Sequence, residues 1–283
     1  MRFGPAGNSQ IFYDQGHKAT VEAPGWLNRM GLSAFEYPCG RGVMVKADTA
    51  RQIGHEAWLN DIAMSLHAPY FINLAAPDPE KQERTLNYFR QSLVTARFLG
   101  AKRVVFHPGA LGGDTRENAM ARARALFDRV LDMAREEDCE DILLCPETAG
   151  KTGQLGTLDE VIALAKMRGD LVPTIDCGHV HAAGQGCLNT QEDFARVLDR
   201  LEDGMGELAK GVHIHFSRLE YTKAGEKRHW TFADTQYGPD FEPLAELIVA
   251  RGYDPVIICE SAGTMAEDAL AMMEMVEKLC TNA

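Results

Sequence analysis

The sequence predicts a (β/α)8 barrel, and three observations carry that prediction. Eight short apolar or β-branched runs punctuate the chain, most are separated by Ala/Leu/Arg/Glu-rich amphipathic stretches, and no G-x-G-x-x-G follows any run. Alternation of strand and helix repeated eight times reads as a parallel barrel. A doubly wound sheet is the alternative, and the absent glycine fingerprint counts against it.

Taken in order, the runs are RFGP (2–5), LSAFEY (32–37), IAMSLHAPY (62–70), RVVFHPG (103–109), DILLCPETAG (141–150), LVPTIDCGH (171–179), GVHIHFS (211–217) and DPVIICESAG (254–263). Each is too short for a helix. Helices are expected over 82–99, 116–137, 157–168, 189–203, 240–252 and 264–280. The Met-rich last one has helical spacing and reads as a covering face. The tempting GKT at 150–152 fails as a phosphate loop, because its first glycine would fall at Cys145. Without a linker, repeat or low-complexity tract, residues 1–283 are expected to form a single barrel domain, a size barrels commonly have.

The composition, 45% hydrophobic and 25% charged, is that of an ordinary globular protein. No apolar run is long enough for a membrane helix, and the first residues lack a secretory h-region. The expectation is a soluble cytoplasmic protein with no membrane partner; the oligomeric state is open, with a monomer favoured. Seven scattered cysteines form no C-x-x-C pair, and Cys145, Cys177 and Cys259, beside carboxylates at strand ends, read as small buried residues in a reducing compartment rather than ligands or nucleophiles. A net charge of −12 counts against a nucleic-acid substrate without excluding one, since bound cations reverse the field of an acidic cleft. Arg103, Arg122, Arg124, Arg129 and Arg135 read as surface charges rather than a DNA track.

Barrels carry their chemistry at the carboxyl ends of the strands. Six runs end there in a metal-ligand residue type: His67, His107, Glu147, Asp176, His215 and Glu260, with His179, His181 and His229 nearby. Strand parity turns His213 and His215 inward, and likewise Val105 with His107, Leu143 and Cys145 with Glu147, and Thr174 with Asp176. Three carboxylates and several imidazoles in one low-dielectric cup are costly unless cations compensate them. The mixture of nitrogen and carboxylate oxygen suits Zn2+, Mn2+ or Fe2+, and the number of ligands exceeds one coordination sphere. At least two metals are expected.

Several motifs, in order along nearly the whole chain, resemble the endonuclease IV family of abasic-site DNA repair enzymes: SLHAPYFINLA (65–75), FHPGA (106–110), PETAGKTGQLG (146–156), TIDCGHVHAAG (174–184), HIHFS (213–217), His229 and CES (259–261). The resemblance implies a barrel with two or three metals, usually zinc. His67, His107 and Glu147 would hold the first; Glu147 would bridge to a second completed by Asp176, His215 and Glu260; His179 and His229 would serve a third. Tyr70 would insert at the damaged nucleotide. The implied activity is metal-assisted incision 5′ to abasic sites, with Glu147 and Glu260 as catalytic carboxylates. Two departures from the family stand out. Lys227 occupies the place of the family's third-metal aspartate, so that site is either lost or completed by Glu226 from a shifted loop, with Lys227 free to bind phosphate. His215-Phe216-Ser217-Arg218 replaces the family's His-Leu-Asn-Asp. His181 and His213 have no family role and are expected to support ligands through hydrogen bonds.

Two other readings compete. A sugar isomerase or epimerase of the related xylose-isomerase-like barrels would need one metal, held by Glu147, Asp176, His215 and Glu260, and a small ketose in place of DNA. A non-catalytic, metal-stabilised homologue would bind phosphate at Lys227 without cleaving it.

Overall fold

All eight runs form parallel strands: β1 (Arg2–Pro5), β2 (Ala34–Pro38), β3 (Ala63–His67), β4 (Arg103–Phe106), β5 (Leu143–Pro146), β6 (Thr174–Asp176), β7 (His213–Phe216) and β8 (Val256–Cys259). This computed structural model describes residues 1–282. Hydrogen bonding divides the ring into two four-stranded sheets, β1-β8-β7-β6 and β2-β3-β4-β5. Single parallel bridges close the two seams, Ala6 with Glu36 and Glu147 with Thr174. A buried glutamate therefore stands at each seam.

The alternation of the strands sorts their side chains as expected. Ile214 and Phe216 of β7 join the large core between strands and helices. Val105, Cys145 and Val172, with Leu143 against them, form a separate apolar cluster that fills the barrel interior. Nearer the carboxyl ends the interior turns polar, with Glu36, Glu147, Asp176, His213 and His215 all buried.

The six expected helices are present as Pro79–Leu99, Arg116–Glu136, Leu158–Ala165, Gln191–Met205, Glu242–Ala250 and Met265–Asn282. Their ends follow local chemistry: Asp78 accepts from the Glu80 N–H, and Thr157 with Glu160 and Thr190 with Asp193 form capping boxes. On the Met-rich helix, Ala266, Ala269, Met272 and Val276 face the core. No helix among the described residues is long and apolar enough to cross a membrane.

The structure adds helices that the sequence pattern does not announce, among them Ala23–Arg29, Ala47–Leu59 and Cys177–Ala183. The second of these contains Gly54, a poor helix former by itself. A Cβ there would lie 2.7 Å from the Leu99 carbonyl carbon, so the glycine permits close approach to helix Pro79–Leu99. The third turns the loop after β6 into a helix capped by Asp176, whose Oδ1 accepts from the His179 N–H at 2.7 Å.

Candidate metal centre

Glu147 follows β5 and is completely buried. Its Oε1 lies 3.0 Å from His215 Nδ1 and 3.5 Å from His179 Nδ1. Its Oε2 lies 3.1 Å from His67 Nε2 and 3.3 Å from His107 Nδ1. One carboxylate thus stands among four imidazoles delivered by four different strand ends. Two ligand groups share it: His67, His107 and Glu147, and Glu147, Asp176, His215 and Glu260, the candidate ligand atoms in each lying within 4.8 Å of one another. The barrel thereby brings together all six of the strand-end residues read from the sequence.

A third group, His179, Glu226 and His229, meets the same distance limit. Its construction explains the departure around Lys227. The loop after β7 forms an antiparallel hairpin, Arg218–Thr222 with Gly225–Trp230. In its register Tyr221 faces Glu226 and Glu220 faces Arg228, so Lys227 is the extra residue of a β-bulge. The bulge reverses side-chain parity, which places Glu226 and His229 on one face despite their odd spacing. Glu226 Oε2 comes within 3.5 Å of His179 Nε2. Lys227 instead reaches Glu220 Oε1 at 2.5 Å and lines the cavity wall. The hairpin is docked on the loop after β5, where the Glu226 N–H donates to the Gly150 carbonyl at 2.8 Å. At Gly225, with φ +99°, a Cβ would stand 2.0 Å from that same oxygen, so only glycine fits.

His179 and His181 lie two residues apart on helix Cys177–Ala183, about 200° around its axis. Only His179 joins the cluster. His181 Nδ1 accepts from the Leu188 N–H, and its ring packs edge-on against Tyr221. It supports a loop rather than a ligand.

The charges are strongly coupled. Burial opposes ionisation of Glu147, but His107, His215 and His67 around it hold its carboxyl well below the usual range. Burial would lower His67 and His179, yet the surrounding carboxylates raise both to about 9. His107, governed by burial and by its imidazole neighbours, falls to about 4. Burial, with Asp176 and Glu147 close by, pushes Glu260 up against the pull of His215 and His229.

The residues fit metal ions on their own chemistry. Eight buried side-chain polar atoms among the described residues lack a hydrogen-bond partner, and four belong to this cluster: Glu36 Oε1, His107 Nδ1, Asp176 Oδ2 and His215 Nε2. His215 Nε2 and Glu36 Oε1 face each other at 2.9 Å, whereas His107 Nδ1 and Asp176 Oδ2 are costly to bury without a cation to accept their lone pairs. The donor set suits zinc, manganese or iron.

Sequence reasoning passed over Glu36. It sits on β2, fully buried, and forms a further ligand-like group with His67, His215 and Glu260. The signal was a lone acid flanked by Phe35 and Tyr37, which parity turns inward. Arg103, read as a surface charge, instead reaches His213 Nδ1 at 3.3 Å and the Gly211 carbonyl at 2.7 Å. Among the cysteines, burial pushes Cys145 and Cys259 up to about 12, so both are neutral thiols, as expected of small buried residues.

The cluster forms the floor of a cavity of about 760 Å³ whose lining includes Tyr70, Lys151, Lys227 and Arg228. Tyr70, 66% exposed, stands at its rim over Gly40. Trp230 leans on Tyr237, with Arg228 over its ring at 4.3 Å.

Residues 24–278 match the xylose isomerase-like TIM barrel family. An uncharacterized protein of Methanocaldococcus jannaschii is 32% identical over 256 residues, 89% of this chain and 90% of that protein. A protein of Mycoplasmoides gallisepticum named probable endonuclease 4 is 35% identical over 205 residues, covering 69% of this chain and 63% of its own length. The chain therefore spans less than two thirds of that relative. Two solved structures share the fold at 18% identity. A D-tagatose 3-epimerase-like protein has a TM-score of 0.73, with 100% of this chain and 98% of that chain covered. Endonuclease IV from Thermus thermophilus has a TM-score of 0.70, with 100% of both covered. Because the matched span runs from before β2 into the last helix, the chain belongs to the xylose isomerase-like TIM barrel family, and it resembles the proteins named endonuclease 4.

Proposed function

We propose that this chain hydrolyses phosphodiesters in DNA, incising 5′ to abasic sites with two or three bound metal ions, zinc first among the candidates. The observation that carries the reading is the convergence of three ligand groups on one cavity, two of them sharing Glu147 and the third completed by Glu226. The metals, when bound, supply Lewis acidity toward the phosphoryl oxygens and activation of the attacking water.

The chain's own groups would divide the remaining work. His67, His107 and Glu147 hold one ion; Glu147, Asp176, His215 and Glu260 hold a second; His179, Glu226 and His229 hold a third. Glu260, with 18% of its side chain exposed, is the catalytic carboxylate nearest solvent and orients the water. Lys151, Lys227 and Arg228 on the cavity wall offer the phosphate local positive charge within a protein of net charge −12. Tyr70 at the rim packs beside an extruded sugar, and extrusion costs least where the base is already gone.

A one-metal reading, isomerisation or epimerisation of a ketose, is favoured by one observation. Glu147, Asp176, His215 and Glu260 by themselves form a compact ligand group. It leaves His67, His107, His179, Glu226 and His229 without work.

Elemental analysis of the purified protein, combined with incision of a duplex carrying one abasic site, decides between them. Two or three metals per chain, with cleavage lost in Glu260→Gln, is the expected result. One metal and no incision at low salt, where phosphate contacts are strongest, would overturn the nuclease reading and direct the search to ketoses. Duplex binding with background turnover would identify a binding homologue.

A further inference from the structure

Four polar residues form a line beneath the ligand cluster. Arg103 Nη1 lies 3.3 Å from His213 Nδ1, His213 Nε2 lies 3.0 Å from Glu36 Oε2, and Glu36 Oε1 lies 2.9 Å from His215 Nε2. The Ser65 hydroxyl donates to Glu36 Oε2 at 2.7 Å. His215 then turns its other nitrogen, Nδ1, toward Glu147 Oε1 at 3.0 Å and Glu260 Oε1 at 3.6 Å.

The direction of each hydrogen bond follows from the end of the line. A guanidinium has only donors. His213 Nδ1 must therefore accept, which puts the His213 proton on Nε2, aimed at Glu36. A carboxylate has only acceptors. With Oε2 already taken by Ser65 and His213, Oε1 faces His215 Nε2, which is a stable neighbour only when it carries a proton. His215 Nδ1, which shares a proton with Glu147 Oε1 at 3.0 Å while no cation is bound, is then the nitrogen that gives up its proton to a metal on the side of Glu147, Asp176 and Glu260. The His215 Nε2–Glu36 Oε1 contact is therefore a close charge contact, out of line for a hydrogen bond.

We propose that Glu36, oriented by Ser65, His213 and Arg103, is a positioning residue that holds His215 in the Nε2–H tautomer and so presents Nδ1 as a metal ligand. The assignment rests on the metal reading of the site but not on the identity of the substrate. It also separates Glu36 from the competing role that its nearness to His67 and Glu260 allows, direct ligation. A carboxylate on the far nitrogen of a ligating imidazole raises the basicity of that ligand and fixes its ring. Its removal commonly costs 10–100-fold in metal affinity.

Two measurements on the full chain test this. Long-range proton–nitrogen correlation spectra of protein labelled with 15N-histidine, with and without zinc, report tautomers directly. His213 should carry its proton on Nε2 throughout, and zinc-bound His215 should carry its proton on Nε2 alone, with Nδ1 shifted by the metal. Competition with a chromogenic chelator then compares wild type with Glu36→Gln, which should bind one zinc about 10–100-fold more weakly at unchanged stoichiometry when zinc saturates. A proton on Nδ1 of His215 in the zinc-loaded protein, or wild-type affinity in Glu36→Gln, overturns the positioning role while leaving the metal reading intact. Loss of a zinc equivalent at saturation makes Glu36 a ligand and overturns it as well. A wild-type chain that takes up no zinc removes the metal reading and this role together. The spectra need no variant, so they decide the point even if Glu36→Gln does not fold.

Discussion

Between Glu226 and Lys227, one inserted residue decides which side chain reaches His179. The two are neighbours in sequence, yet the bulge sends Glu226 toward His179 and leaves Lys227 paired with Glu220. Glu226→Gln is expected to lower zinc content by one equivalent, whereas Lys227→Ala keeps the full complement; elemental analysis of both variants checks this. An equal metal content in the two would show that the third group does not bind. Gly225→Ala makes the complementary test, since its Cβ would strike the Gly150 carbonyl at a positive φ. Strain of that kind costs on the order of 1–3 kcal/mol and should displace the hairpin. The expected signature in metal analysis is loss of the third equivalent with two retained. At this scale the sequence announced ligand types clearly, but the odd spacing of Glu226 and His229 hid their common face. A bulge carries no residue signature of its own here.

Among the elements, helix Leu158–Ala165 shows how directly local chemistry can be read. Thr157 caps it and Glu160 reaches back to the N–H groups of Gly156 and Thr157, while Arg116 binds the same carboxylate. Thr157→Ala should cost about 1 kcal/mol, measurable by urea denaturation. Burial opposes ionisation of Glu160, but the two N–H donors and Arg116 outweigh it and lower the carboxyl below its ordinary 4.5. A carboxyl depressed in the folded state contributes stability that is present above its unfolded value and is lost as pH falls through the folded one. Glu160→Gln should therefore destabilise at pH 7 and flatten the acid side of the stability curve; parallel slopes for variant and wild type would contradict this. The helices that escaped sequence reading are those made by packing. Ala47–Leu59 carries Gly54 for close approach to a neighbour, and Cys177–Ala183 is held by the Asp176 cap and buried beneath the hairpin. Propensity alone is too weak to announce either.

Over the whole molecule, the buried acids at the two seams tie stability to the site. Glu36 and Glu147 are both fully buried, and each makes the single bridge joining the barrel's halves. A ligand that binds only the folded chain adds about 2.7 kcal/mol at a hundredfold excess over its Kd. Chelation is accordingly expected to lower Tm, and zinc to restore it, in differential scanning calorimetry; an unchanged Tm after verified metal removal would count against metals at the seams. The outer core should respond independently of metal. Phe216→Ala, removing a fully buried ring packed edge-on against Phe232 and Phe241, should cost roughly 3–5 kcal/mol in holo and chelated protein alike.

The eight strands, six of the helices and the six strand-end residues that the barrel gathers at one cavity were legible in the order of residues alone. These follow from periodicities and end positions that are local, with side chains alternating along a strand and chemistry collecting at one end of a barrel. Packing settled what local pattern cannot encode: that Glu226 rather than Lys227 faces His179, that His179 and not His181 enters the cluster, and that Arg103 turns inward toward His213. Each depends on a distance between segments far apart in the chain. Such distances are set only when the hairpin docks on the loop after β5 and the barrel closes at its seams.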